Sequence, residues 1–274
     1  MSLEVVVLVL FGAALHATWN AIIKAGTEKS LDAALVSAGG AVAALPFLGL
    51  LPLPLPAAWP FIGGSAILQF AYFQLVAAAY RAGDIGLVYP VMRGVAPLLI
   101  VASSGYVLGE TLSGGALAGV VTICAGILTL AFEARHGSRR AMLLALANAC
   151  VIASYTYVDG IGARRAGNPV SYTLWMALLP PVLLFAWAFS QRGTRHVRVN
   201  WWRGLIGGTG SIASYGIALW AMTKAPVAMV AALRESSILF ALVISVVVLK
   251  ERASPWRYIA GGLIAAGVLV LRLG

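Results

Sequence analysis

Ten apolar runs separated by short polar segments take up nearly the whole chain. They lie at roughly 3–24, 31–51, 58–80, 85–108, 114–132, 140–160, 170–190, 203–223, 227–249 and 256–272. Each is close to the ~20 mainly apolar residues that a helix needs to cross a bilayer core. None alternates apolar with polar residues as the wall of a membrane barrel must. A helix satisfies its own backbone groups inside lipid. The pattern therefore predicts an all-α integral membrane protein of ten transmembrane helices. The breaks are plain: Leu51–Pro60 holds four prolines, and the stretches 133–140 and 191–203 are basic. Trp59, Trp201, Trp202 and Trp256 stand at the predicted helix ends, where aromatic rings suit the membrane interface.

A shift of 141 residues aligns two long segments without a gap. Arg93 falls on Arg234, Ser104 on Ser245, Glu110 on Glu251 and Ser113 on Ser254. Apolar matches mean little in such a chain, but charged pairs in one register mark a duplication. A weaker match links Ala17-Thr18-Trp19 to Ala153-Ser154-Tyr155. The expected units are residues 1–136 and 137–274, with five helices each. Five is odd, so the second copy must enter the membrane from the opposite face. This predicts two inverted five-helix repeats around a central cavity, an architecture that secondary carriers use with a binding site near the bilayer midplane.

Composition supports the membrane reading and excludes others. Hydrophobic residues make up 61% and charged residues 10%, whereas soluble domains carry about 25% charged residues. No soluble domain boundary is visible. The net charge of +10 would suggest nucleic acid in a soluble protein. Here the cations sit in loops between apolar runs, so the bilayer is the expected partner and no nucleic acid is. Cys124 and Cys150 both fall in predicted helices, which argues against a disulfide framework. The first run lacks a basic start and a cleavage site, and reads as a retained helix. One set of loops carries most cations, among them Arg81, Arg135, Arg139, Arg140 and Arg192. By the positive-inside rule that side is cytoplasmic and both termini are periplasmic.

Several motifs resemble the drug/metabolite transporter superfamily, and within it the EamA family of duplicated ten-helix proteins. They are Leu15-His16-Ala17-Thr18-Trp19-Asn20, then Val88-Tyr89-Pro90-Val91-Met92-Arg93-Gly94 with Leu108-Gly109-Glu110. Ala232-Leu233-Arg234-Glu235-Ser236-Ser237 and Leu249-Lys250-Glu251-Arg252 complete the set. The resemblance covers nearly the whole chain. It implies a secondary carrier of the bacterial cell inner membrane, often an exporter, working without ATP or a cofactor. It also implies cytoplasmic termini, in conflict with the charge count. It does not define the solute.

Arg93 and Arg234 are the sharpest candidates for a solute site. Each lies well inside an apolar run, where a charge is tolerable only against protein or a water-filled cavity. Arginine's planar donor fork suits a carboxylate or phosphate. The competing reading is a structural ion pair. Glu235 breaks the repeat, since Gly94 is its counterpart. It is a candidate partner for Arg93, for a solute amine, or for a coupling proton. His16, Asn20 and Lys24 recur every four residues as one polar stripe, with Trp19 beside it. His16 is a candidate for solute or proton, against a plain helix–helix hydrogen bond. Asn148, Tyr155 and Asp159 share a face of the sixth run. Asp159 is a third proton candidate, although its place near the run's end also fits a solvated loop acid. Tyr89, Tyr155 and Tyr215 are candidate solute contacts, with Tyr72, Trp175 and Trp220 as further walls. Glu110 and Glu251 read as structural turn residues. The spacings Gly115-xxx-Gly119, Gly204-xxx-Gly208 and Gly207-xxx-Ser211 permit close helix packing. No metal site is expected.

The expected function is alternating-access transport of a small anionic or zwitterionic metabolite, such as an amino acid, by a monomer or homodimer. A membrane-embedded enzyme would want clustered acids or histidines at an interface. Only three histidines occur, and His136 and His196 lie in basic segments. A non-transporting scaffold is the remaining alternative.

Overall fold

The computed structural model describes residues 1–24, 29–133, 138–179, 181–182, 195–248, 250 and 253–274. Among them the chain is helical and has no strand. In order the helices are α1 (Leu3–Lys24), α2 (Lys29–Leu48), α3 (Trp59–Ala82), α4 (Ile85–Leu108), α5 (Gly114–Thr129) and α6 (Arg139–Arg165). After them come α7 (Pro169–Met176), α8 (Arg195–Met222), α9 (Val227–Arg234), α10 (Ser237–Val243) and α11 (Pro255–Leu273). Eight helical stretches among the described residues are long and apolar enough to span a bilayer. α2 adds a shorter apolar stretch, Ala34–Leu48. The seventh run beyond Val182 lies outside the described residues, as do Arg135, His136, Arg192, Glu251 and Arg252.

Polar side chains define where the spans begin. Ser113 caps α5 by accepting from Ala116 N at 3.1 Å, and Ser254 caps α11 by accepting from Arg257 N at 3.3 Å. These two serines are matched by the 141-residue shift. Ser138 caps α6 and Asn168 caps α7 in the same manner. Such caps satisfy amide groups that have no partner in the first turn. α4 ends on Gly109 at φ 68°, with Glu110 N bonded back to Ser104 O at 3.3 Å. Only glycine takes that left-handed conformation without strain.

Small residues set the closest crossings. A methyl group at Gly208 would run into backbone atoms of Val36, Gly39 and Gly40, so α2 and α8 touch backbone to backbone. Gly115 and Gly119 meet Gly274 and Leu271, while Gly126 meets Ala260 and Leu263. The start of α5 thus lies on the end of α11, and the two helices run antiparallel. The glycine spacings seen in the sequence therefore lie within this chain's own bundle. Elsewhere α1 packs on α8, with Ser214 Oγ donating to Gly12 O at 2.7 Å, and α3 packs on α6.

Glu110 ties three segments together. It accepts from Arg164 Nη2 at 2.6 Å and from Val227 N at 2.8 Å. Arg164 also donates to Met222 O at 2.8 Å. The structural reading of Glu110 holds: it caps α9 and binds the end of α6.

Candidate functional site

A cavity of about 210 Å³ opens among the helices. α1 lends it His16, Trp19 and Asn20, and α3 lends Gln69, Tyr72 and Phe73. α4 brings Tyr89 and Arg93 one turn apart, α6 brings Tyr155, and α8 brings Ser211 and Tyr215. Arg234 closes the wall from the end of α9. Two arginines far apart in the chain thus converge on one space.

The local backbone explains how each arginine reaches it. Arg93 is the ninth residue of α4, about 12 Å along the helix at 1.5 Å per residue. Pro97 has no N–H to offer the Arg93 carbonyl, and Pro90 has none for the Gly86 carbonyl about two turns earlier, so the helix is weakened on both sides of the site. Arg234 stands where α9 stops. Glu235 N bonds to Ala232 O and Ser236 N to Leu233 O, a tightened turn. Ser236 Oγ takes the Leu233 carbonyl as well, at 2.7 Å. The chain then resumes as α10. Broken helices inside a span occur where backbone is shielded by protein or borders a cavity.

Arg93 is 8% exposed and Glu235 is 6% exposed. Arg93 Nε lies 2.8 Å from Glu235 Oε2. The contact is a buried ion pair, and neither atom has a further partner. Glu235 lies off the cavity wall, behind Arg93. Among its sequence-stated options, the structure brings it to Arg93.

Arg234 is differently placed. Its guanidinium sits 4.8 Å from the Tyr215 ring centroid, a cation–π contact. Among the described residues no carboxylate pairs with it. Tyr215 in turn donates its hydroxyl to Asp159 Oδ2, and Tyr172 donates to Oδ1 at 2.9 Å. Asp159 is fully buried. The loop-acid reading of Asp159 is therefore corrected: α6 continues to Arg165, which leaves Asp159 inside the helix.

His16 and Asn20 of the α1 stripe also face the cavity, while the Lys24 side chain lies outside the described ones. His16 packs edge-on against Trp19 at 5.0 Å. Trp19 Nε1 is buried without a partner, a free donor at the wall. Asn20 Nδ2 donates to His16 O at 2.8 Å. Tyr72 and Tyr155 meet edge-on at 6.0 Å. Trp175 and Trp220 are not on the wall: Trp175 packs against Trp59 at 5.2 Å and Trp220 packs into the core. Asn148 is also elsewhere, with its Nδ2 2.8 Å from Met92 Sδ. Sequence reasoning missed Gln69, which donates to Ser65 Oγ at 3.0 Å. The available signal was a side-chain amide in an apolar run, one turn before Phe73.

A bundle of apolar helices around an arginine-bearing cavity is that of a multi-pass membrane protein. Residues 139–273 match the EamA-like transporter family. The chain belongs to that family, within the drug/metabolite transporter superfamily, as its motifs led one to expect. Members are membrane transporters rather than enzymes. No curated protein matches the chain. A crystal structure described only as that of a protein shares the fold: TM-score 0.76, 23% identity, with 98% of each chain covered.

Proposed function

We propose that this protein is a secondary carrier that moves a small anionic or zwitterionic metabolite, such as an amino acid, across a bacterial inner membrane by alternating access. The carrying observation is the convergence of Arg93 and Arg234 on one cavity, with no carboxylate in salt-bridge contact with Arg234 among the described residues. A charge in that position is costly unless a solute or water meets it. Trp19, Tyr89, Tyr155 and Tyr215 supply amphipathic walls, and His16 and Asn20 supply polar contacts. Glu235 acts by holding Arg93. Export is the direction that family resemblance favours.

The moving parts in this reading are two inverted five-helix halves, residues 1–136 and 137–274. Four observations support it. The repeat-matched helices α5 and α11 run antiparallel. Ser113 Oγ donates to Gly274 O at 2.6 Å, while its match Ser254 bonds Glu133, which the same shift pairs with Gly274. The packing of α1 on α8 repeats as α6 on α3. The family match over residues 139–273 coincides with the second half.

The test is flux in sealed vesicles. Purified protein is reconstituted with a uniformly labelled amino-acid mixture or labelled small organic acids on one side. Movement of label that Arg234→Ala abolishes supports the carrier. Turnover of a lipid or solute in detergent without flux indicates an enzyme, and neither activity indicates a scaffold.

A further inference from the structure

Resting on the carrier reading, the buried acid beside the cavity can be given a role. Three groups near the site can exchange a proton: His16, Glu235 and Asp159. Glu235 is held by Arg93, and His16 lies against Trp19 on the wall. Asp159 alone combines full burial with no cation in contact among the described residues. Its two oxygens are occupied by the hydroxyls of Tyr172 from α7 and Tyr215 from α8. Ser65 of α3, Arg234 of α9 and Tyr155 of its own helix also face it. An ionised carboxylate in such a place is costly, and two hydroxyl donors offset only part of that cost.

Tyr215 joins this acid to the cavity. Its hydroxyl meets Asp159, while its ring lines the cavity under the Arg234 guanidinium. An ionised carboxylate accepts from both tyrosines. A protonated one carries an O–H donor, and a tyrosine on that oxygen can turn from donor to acceptor to receive it. Tyr172 is fully buried and pressed against Gly162, where an added Cβ would fall 2.5 Å from its hydroxyl oxygen. Tyr215 borders open space, so the rearrangement falls on it. Neutralising Asp159 also leaves Arg234 less compensated, and in low dielectric that strengthens its pull on an anion.

We infer that Asp159 takes up one proton as a carboxylate-bearing solute binds at Arg234, with Tyr215 as the link, so that solute and proton cross together in the same direction. The proton comes from water on the loading side, resides on a carboxyl oxygen of Asp159, and leaves to water on the other side. Nothing else changes bonding. Outward flux is then driven by the solute's own gradient.

The test uses the full chain in vesicles with the labelled amino-acid mixture. In wild type, a pH gradient acid on the loading side should accumulate label. Asp159→Asn should lower that gradient-driven accumulation at least ten-fold, yet keep one-for-one exchange of internal and external label. As a check independent of any variant, wild-type protein in weakly buffered detergent should take up protons when the mixture is added. Gradient-driven accumulation that survives in Asp159→Asn, loss of exchange together with it, or no proton uptake by wild type each overturns the inference. Wild type that moves label without heeding pH overturns the coupling alone. Wild type that moves no label overturns the carrier reading for this solute class, and the coupling with it.

Discussion

Arg93 on α4 and Glu235 at the break between α9 and α10 meet 2.8 Å apart, and only the arginine reaches the cavity wall. The pair thus does two things. It makes a buried cation tolerable, and it leaves that cation facing the cavity from one side. On the proposed carrier reading Glu235 is spent on Arg93, and binding of a solute carboxylate falls mainly on Arg234.

Removing one partner of the pair strands the other. Arg93→Ala is expected to destabilise the protein by about 3–5 kcal/mol, the usual cost of an orphaned buried charge. The double variant Arg93→Met with Glu235→Leu should recover much of that loss while staying inactive in flux. Thermal unfolding in detergent compares the three proteins. Equal midpoints for the single variant and wild type would mean the pair contributes nothing.

Arg234 lacks such a partner, so its removal should spare the fold. Arg234→Ala is expected to weaken solute binding about 10- to 100-fold, in line with ~1.5–3 kcal/mol for a hydrogen bond to a charged group. Arg234→Lys should fall between the two, since a point charge replaces a planar fork. Calorimetric titration of a transported solute measures both. An unchanged affinity in Arg234→Ala removes this residue from the site.

Two glycines should respond in opposite ways to the same change. Gly208→Ala drives a methyl into the backbone of α2, which cannot move aside, and should lower the folded yield. Gly63→Ala meets no atom within 4 Å and should stabilise α3 by about 0.5–1 kcal/mol. Size-exclusion profiles after mild heating separate the outcomes. A monodisperse Gly208→Ala protein with wild-type stability would contradict the observed contact.

Glu110 offers a test away from the cavity. Glu110→Ala frees Arg164 and leaves the Val227 amide without its acceptor. The expected cost is about 1–3 kcal/mol for the unsatisfied group. Glu110→Gln keeps an acceptor for the amide and should cost less. Chemical denaturation of the purified variants ranks them, and the reverse order would argue against the capping role.

The membrane-spanning character of the helices and the two cavity arginines were legible because they rest on local features. A span of some twenty apolar residues has few other ways to fold in lipid, and Arg93 and Arg234 are conspicuous in oil. The break at Ser236 was less visible. Its signal is a serine pair with a hydroxyl that competes for a backbone carbonyl, and such pairs also occur in unbroken helices. Trp175 and Trp220 misled because helical spacing gives a face relative to a helix, not the neighbour that face meets.

The sequence by itself determined the apolar, membrane-spanning helices and the small-residue spacings of their crossings, because each depends on neighbours within a few positions. Only the tertiary structure decided that Glu235 serves Arg93 and that Asp159 sits under two tyrosine hydroxyls. It alone left Arg234 open to the cavity. Those outcomes depend on which helices become neighbours. Charged groups more than a hundred residues apart in the chain pair or stay alone according to distances of a few ångströms, which no local pattern encodes.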